Sequence, residues 1–451
     1  MHWFYLLSGV VFFLGILGFS ITSFRELEKR AGLLSLLCAV GFGIIWAGIG
    51  IAFPEATFYL AVIAWALSVA GAIFLSLPIG KAEPLKIDIS KTERFDERHI
   101  MFGRMELKEG TPQYDEYYMH LNPEMKKVDD NLRSMPDLGE PGAKYFNKLD
   151  SPYMVSIFEF IEKIRHLADP GEPDQGPVSI TPEEATRKIK GFGKFLGALD
   201  VRVTRLRDYH VYSHAGRQLH NWGQRLTLDH KYAVVFSSEM NYRMVHTAPL
   251  LPTSTESAFE YMRLACIAIC LATYIKNLGY KARAHIDGNY HVLTTAVAHD
   301  AGLGELGRLG LLVTPTHGPR VRTAVVTTDM VFVEDKPINI GVQHFCRICK
   351  KCAENCPSQS IEKGEKKQIR GVTKWQTKME TCYHHWRTLG TDCSICLAVC
   401  PYSKPNSFYH NLLRFFIHRN SVARKLAFLM DDLFYGRRPR HTEKPAWFSE
   451  K

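Results

Sequence analysis

The chain has 451 residues, a formal charge of +10, 46% hydrophobic residues and 23% charged ones. That length holds two or three domains with full cores, and the composition excludes a low-complexity chain. A basic balance fits nucleic acid, anionic lipid or an acidic electron donor, but no nucleic-acid motif accompanies it, and the N-terminus points to lipid.

Residues 3–24, 33–53 and 56–79 are three almost wholly apolar runs. Each is long enough to cross a hydrocarbon core of about 30 Å at about 1.5 Å per residue. A cleaved signal peptide is opposed by the missing basic leader and by the two runs that follow, and no twin-arginine pair precedes the first run. Residues 1–80 therefore read as a three-helix transmembrane anchor in contact with the lipid bilayer. Arg25, Lys29 and Arg30 lie between the first two spans, Pro54 and Glu55 turn the chain between the next two, and Lys81, Lys86, Lys91 and Arg94 follow the third. The positive-inside rule then predicts a multi-pass protein of the cell inner membrane, its N-terminus outside and its large remainder facing the cytoplasm.

Residues 81–180 form an N-terminal extension with helical patterns over 116–133 and 155–167, closed by a Pro/Gly/Asp-rich linker over 170–182. Thr181-Pro-Glu-Glu opens a helix, with threonine as cap and proline in the first turn. Residues 181–335 read as an α/β domain: strands at 232–236, 281–286, 292–297, 311–315 and 322–328 alternate with a long helix over 258–278. Residues 406–451 form a basic amphipathic tail, with Leu412, Phe415, Phe416, Leu426, Phe428 and Leu429 in helical register and arginines opposite.

Gly302-Leu-Gly304-Glu-Leu-Gly307 matches the dinucleotide-binding fingerprint letter for letter. The fingerprint requires a helix opening on it. Pro315, the turn at His317-Gly-Pro and the strand-like Leu311–Val313 leave no room for one. The glycines are better read as a turn that lets backbone approach a large cofactor.

The most informative residues are cysteines. Eight of eleven fall into two blocks, Cys346-x2-Cys349-x2-Cys352-x3-Cys356-Pro357 and Cys382-x10-Cys393-x2-Cys396-x3-Cys400-Pro401. Three thiolates from one tight loop wrap a cubane, and the fourth, before proline, ligates the other cluster. The pattern predicts one 4Fe–4S cluster on Cys346, Cys349, Cys352 and Cys400, and a second on Cys382, Cys393, Cys396 and Cys356. The long gap after Cys382 predicts that the segment with His384, His385 and Trp386 loops out. Disulfides do not suit a cytoplasmic domain, and zinc is usually held in paired knuckles. Cys38, Cys266 and Cys270 read as core residues. These residues compose a two-cluster ferredoxin-like domain over 336–405.

Three stretches resemble the catalytic subunit of the corrinoid-dependent reductive dehalogenases over roughly residues 180–440. They are Glu239-Met-Asn-Tyr242; Asp300-Ala-Gly-Leu-Gly-Glu-Leu-Gly-Arg308 with its continuation to Arg322; and the cysteine blocks, of which Gly390 to Tyr402 resembles the family's second cluster motif. The resemblance implies a nitroreductase-like α/β domain holding base-off cobalamin, fed by the two clusters. It implies cleavage of a carbon–halogen bond in a small organohalide. By motif position it assigns the proton donor to Tyr242, a supporting cation to Arg308 and a pocket polar residue to Asn289, with Gly302, Gly304 and Gly307 in the cobalamin-binding turn. A phenol is protonated near neutral pH, and an arginine stabilises its anion.

The chain departs from many respiratory members of that family, which carry a twin-arginine signal and use a separate small anchor. Its own spans imply a cytoplasm-facing enzyme that takes electrons from a quinol-linked partner, ferredoxin or flavodoxin. Two other readings remain open at this point: an epoxyqueuosine-reductase-like cobalamin enzyme, and a non-catalytic iron–sulfur subunit of a quinol-oxidising complex.

Overall fold

The computed structural model describes residues 2–80, 82–439 and 442–448, so Lys81 in the basic flank of the third span lies outside the described residues. Three helices open the chain: α1 (His2–Arg25), α2 (Lys29–Ala52) and α3 (Thr57–Ser76). Pro54 stops α2 because it has no N–H to continue the helical ladder. The helices join through small residues and buried polar contacts, as helices do where apolar burial gives no drive to associate. The Tyr5 hydroxyl donates to Trp46 O at 2.6 Å, Trp46 Nε1 returns a bond to Tyr5 O at 3.1 Å, and the Ser20 hydroxyl reaches Gly32 O at 2.8 Å. Trp65 Nε1 ties α3 to Ser8. Leu7, Leu37, Ile44 and Leu67 point outward.

Four helices among the described residues are long and apolar enough to cross a membrane. The fourth, Leu251–Asn277, is half buried inside the protein and packs on a sheet. That sheet is built from β1 (Asp200–Arg205), β2 (Tyr232–Glu239), β3 (Ala282–His285) and β6 (Val321–Thr328), while β4 (Glu305–Leu306) and β5 (Leu312–Val313) make a separate small hairpin. The sheet order is β1-β2-β6-β3 and every pairing is antiparallel. The alternation of a strand sorts β2 between two cores. Val234 and Phe236 pack with Leu264, Ala268 and Leu271 of the long helix, and Ala233 and Val235 pack with Val297 and Ala298 behind the sheet.

Two expected elements differ. The predicted strand at 292–297 is the helix Thr294–Asp300, because Val297, Ala298 and Ala301 share one helical face toward the sheet. The helical pattern over 116–133 breaks into short turns at Asn122-Pro123 and resumes as a helix at Lys126–Arg133. The capped helix at Thr181 forms as expected over Pro182–Phe195, Thr181 Oγ1 accepting from Glu184 N. The tail becomes two helices, Phe408–Ile417 and Ser421–Tyr435, which lie against α3 and α2.

Candidate functional site

The two cysteine blocks fold alike. Lys350, directly after Cys349, and Ser394, directly after Cys393, both adopt left-handed backbone, with φ of 56° and 52°. This conformation turns the next amides back on the sulfur: Lys351 N–H bonds the Cys349 thiol and Ile395 N–H the Cys393 thiol. Non-glycine residues hold such a conformation where the surroundings require it. Amide bonds to a cluster's sulfurs are among the protein's means of setting its potential.

The eight thiols are all free. Burial pushes Cys346 up to about 11 and Cys400 up to about 12, and Cys349 and Cys352 well above the usual thiol value. Charges on Cys346, Cys400, Cys396 and Cys349 add to the rise at Cys352. Burial likewise pushes Cys382 and Cys393 up to about 12, and the charges that add to it for Cys396 include Cys393, Cys382 and Cys356. Buried thiolates close enough to repel one another need a cation among them, and cluster iron would provide it. Among the described residues no group of three or more His, Cys, Asp or Glu side chains closes on a single metal ion; a cubane offers one iron to each thiolate, so its ligands need not converge on a point. The segment after Cys382 does not loop out as expected. It is the helix Met379–Leu389, whose turns span the long gap.

The remaining predicted residues are not brought together. Tyr242 is 8% exposed, and its hydroxyl donates to Glu28 Oε1 at 2.5 Å, beneath the loop joining α1 to α2. Arg308 serves the first cluster loop. Its guanidinium donates to Cys346 O at 3.0 Å, Glu362 O at 2.7 Å and Gly364 O at 3.1 Å, and lies 4.3 Å from the Trp375 ring centroid. The arginine beside Tyr242 is Arg320, 5.4 Å from the ring centroid. Asn289 is held by Arg283, which donates to its Oδ1 at 2.5 Å, and donates in turn to Arg165 O. The three glycines meet protein rather than an open cradle. A Cβ on Gly302, which has φ of +74°, would sit 2.1 Å from Lys336 O; one on Gly304, 2.5 Å from Val313 O; one on Gly307, 2.8 Å from Val313 Cγ2. Their small size lets the β4–β5 hairpin close, which also explains why no helix opens on the fingerprint.

A different constellation of charged and aromatic side chains adjoins the second cysteine block. Asp392 adjoins the cluster ligand Cys393. It accepts from Ser254 at 2.9 Å and Ser257 at 2.5 Å, and pairs with Arg322 at 3.4 Å. The Arg322 guanidinium lies 5.2 Å from the centroid of the Tyr261 ring. Charges on Arg322, Asp287, Asp392 and Arg217 reach Tyr261, and charges on Asp287, Tyr261, Arg217 and Tyr212 reach Tyr290. Tyr261 and Tyr290 keep intermediate exposure, and burial raises both phenols above their ordinary value. Arg217 Nε, Asn221 Oδ1 and Arg322 Nε are buried without a hydrogen-bond partner among the described residues. Buried polar atoms are normally satisfied, so these atoms suit a ligand edged with both donors and acceptors. The amide-fringed, flat corrinoid ring meets that description. Sequence reasoning passed over Tyr261 because an aromatic residue within an apolar helix reads as core; the neighbouring buried Glu260 was the available signal.

Residues 345–404 match the 4Fe-4S dicluster domain family. The chain is 32% identical over 326 residues to a tetrachloroethene reductive dehalogenase of Sulfurospirillum multivorans, covering 64% of this chain and 65% of the relative. It is 34% identical over 232 residues to one of Desulfitobacterium hafniense, covering 49% and 40%. The fold matches a solved catabolic reductive dehalogenase with a TM-score of 0.65 and 24% identity, over 79% of this chain and 50% of the other. The chain thus resembles reductive dehalogenases in sequence and in fold, and spans between two-fifths and two-thirds of the length of these proteins.

Proposed function

We propose that the chain is a membrane-anchored reductive dehalogenase with two 4Fe–4S clusters and a corrinoid. The observation that carries this reading is the contact chain from Cys393 of the second cysteine block through Asp392 and Arg322 to Tyr261, along which Arg322 Nε is buried without a partner. The net reaction takes an organohalide, two electrons and one proton to the hydrogen-substituted product and a halide ion. When bound, the corrinoid supplies the low-potential metal centre at which the carbon–halogen bond is cleaved. Arg217, Asn221 and Arg322, whose buried polar atoms lack partners, would hold that group.

Tyr261, not Tyr242, is the proton donor in this reading. Burial keeps its phenol protonated, and Arg322 beside the ring lowers the cost of the anion left behind. Arg308 steadies the loop of the first cluster. The sheet with helices on both faces supports a nitroreductase-like ancestry for the cofactor domain. The Glu28–Tyr242 bond supports a topology in which the α1–α2 loop and the catalytic part share one side of the membrane, and the basic residues of that loop make this side the cytoplasm.

The test is anaerobic reconstitution of the full chain, followed by measurement of iron, corrin and viologen-driven halide release. About eight irons, one corrin and turnover of a chlorinated alkene are expected. Full cluster loading with no corrin retained would overturn the reading.

A further inference from the structure

An apolar cavity of about 200 Å³ lies between α1, the two C-terminal helices and the loop of the first cluster. Phe19 of α1, Tyr409 and Phe434 form an aromatic wall, with Phe19 centroids 5.6 Å from both other rings. Opposite stand Phe345, which precedes Cys346, and Pro401 and Tyr402, which follow Cys400, so the wall is one residue from two ligands of the first cluster. The Tyr402 hydroxyl is buried with no partner among the described residues. Near it, His410 lines the cavity and its Nε2 lies 2.9 Å from Glu26 Oε2. Glu26 also lines a separate surface cleft of about 630 Å³ with Arg25, Asn241 and Arg243. One cavity therefore combines an apolar ring site, an unpartnered hydrogen-bond donor, an adjacent electron carrier and a carboxylate–imidazole pair leading to water.

The cavity also borders an exposed apolar surface. Leu412, Leu426, Leu429, Met430 and Leu433 are exposed on the two C-terminal helices and extend the apolar surface of the anchor. Met430 belongs to both this surface and the cavity lining.

We propose that this cavity binds the ring of a membrane quinone and exchanges electrons between it and the first cluster, so that the chain needs no separate quinol-oxidising partner. The Tyr402 hydroxyl donates to one ring oxygen. A quinol entering from the lipid gives up two electrons, one at a time, to the cluster bound by Cys346, Cys349, Cys352 and Cys400. Its two protons leave in turn through His410 and Glu26 to the cleft, and a quinone departs. The reverse direction, quinone plus two electrons plus two protons to quinol, uses the same path. The inference rests on the two-cluster reading and goes beyond the dehalogenase reading.

The test uses the full chain in lipid nanodiscs with clusters reconstituted. The clusters are reduced with titanium(III), and their reoxidation by a short-chain naphthoquinone is followed by stopped-flow absorbance. Binding of a fluorescent quinoline N-oxide is titrated in parallel. Saturable reoxidation is expected, slowed tenfold or more in Met430→Trp, which fills the cavity from its lipid edge, and in His410→Gln. Weakened binding of the N-oxide is expected in Met430→Trp. Unchanged rates in both variants, or binding without any reoxidation (the behaviour of a plain lipid or inhibitor pocket), overturns the proposal. Viologen-driven dehalogenation separates the two readings: its absence with intact quinone exchange removes the dehalogenase, and its presence with no quinone exchange removes only the quinone site.

Discussion

The Tyr242 hydroxyl donates to Glu28 Oε1 at 2.5 Å, a bond between residues 214 positions apart that joins the N-terminal apolar helices to the α/β part of the chain. Glu28 sits between α1 and α2, and its carboxylate also lies 3.7 Å from His246 Nδ1 and 3.8 Å from Lys404 Nζ. Burial pulls His246 well below its usual value, with Lys404 and Arg320 adding to that shift, so its imidazole is neutral. Burial and the Glu28 charge push the Tyr242 phenol well above its ordinary value. Tyr242 is thus locked as a neutral donor, and Lys404 is the nearest compensating cation. The tyrosine that the motif marks is tied to the loop between the first two helices.

Glu28→Ala removes a charge-assisted hydrogen bond and leaves Tyr242 and Lys404 without their shared partner. A loss of about 1.5–3 kcal/mol is expected, seen as a melting temperature lower by roughly 2–3 °C in detergent. Glu28→Gln keeps the acceptor and falls between. An unchanged melting temperature in Glu28→Ala would show that the junction is held by apolar contacts alone.

The two tyrosines separate cleanly in kinetics. Tyr261→Phe removes the proton donor and is expected to lower kcat for organohalide about 10²–10⁴-fold, the usual contribution of a positioned acid. Tyr242→Phe is expected to leave kcat within a few-fold of wild type while lowering thermal stability. The opposite ranking would return the catalytic role to Tyr242.

Paired cysteine variants test the exchange of ligands between the blocks. Cys356→Ala with Cys382→Ala strikes one quartet and should reduce iron from about eight to about four, with the other cluster's EPR signal intact. Cys356→Ala with Cys346→Ala strikes both quartets and should remove nearly all iron. The reverse ranking, nearly all iron lost in Cys356→Ala with Cys382→Ala and about four irons kept in Cys356→Ala with Cys346→Ala, would mean that each block holds its own cluster.

Much of this was legible in the chain because the signals were local. Cysteine spacing, three apolar runs and the Thr181 cap each depend on neighbours in sequence. What was not legible depends on distant partners. The fingerprint glycines looked like a cofactor cradle, yet Gly302 is required by a carbonyl at Lys336, on a segment that reaches it only in the folded chain. Arg308 lies within the most family-like stretch, but its contacts at Cys346 and Trp375 are set by how the cluster loop folds over it. Tyr261 meets Arg322 from a helix whose other side is core, and periodicity alone does not tell which aromatic residue of such a helix meets a buried charge. The same glycine contact yields a test: Gly302→Ala is expected to destabilise by more than about 1 kcal/mol in urea unfolding, from the left-handed backbone and the clash together. A variant as stable as wild type that fails only to retain corrin would restore the cradle reading.

The backbone at Arg217 has a pH-sensitive support. Glu97 is 2% exposed, and its Oε2 accepts from Gly216 N at 2.8 Å and Arg217 N at 3.3 Å, while Oε1 has no partner. Burial pushes its carboxyl from 4.5 up to about 7, outweighing the two amide bonds and the Arg217 charge; Asp96 adds to the rise. The folded chain therefore holds this proton more tightly than the unfolded chain. The associated stability is fully present below pH 4.5, declines as pH rises and is lost once pH passes about 7. The whole span corresponds to about 3 kcal/mol, at about 1.4 kcal/mol per unit. Glu97→Gln keeps an acceptor for both amides and never ionises. Its stability relative to wild type should therefore grow by on the order of 1–3 kcal/mol between pH 5 and pH 8, measured by urea unfolding at both. A constant difference across that range would mean that Glu97 does not change protonation there, and that the Arg217 backbone rests on a permanent charge.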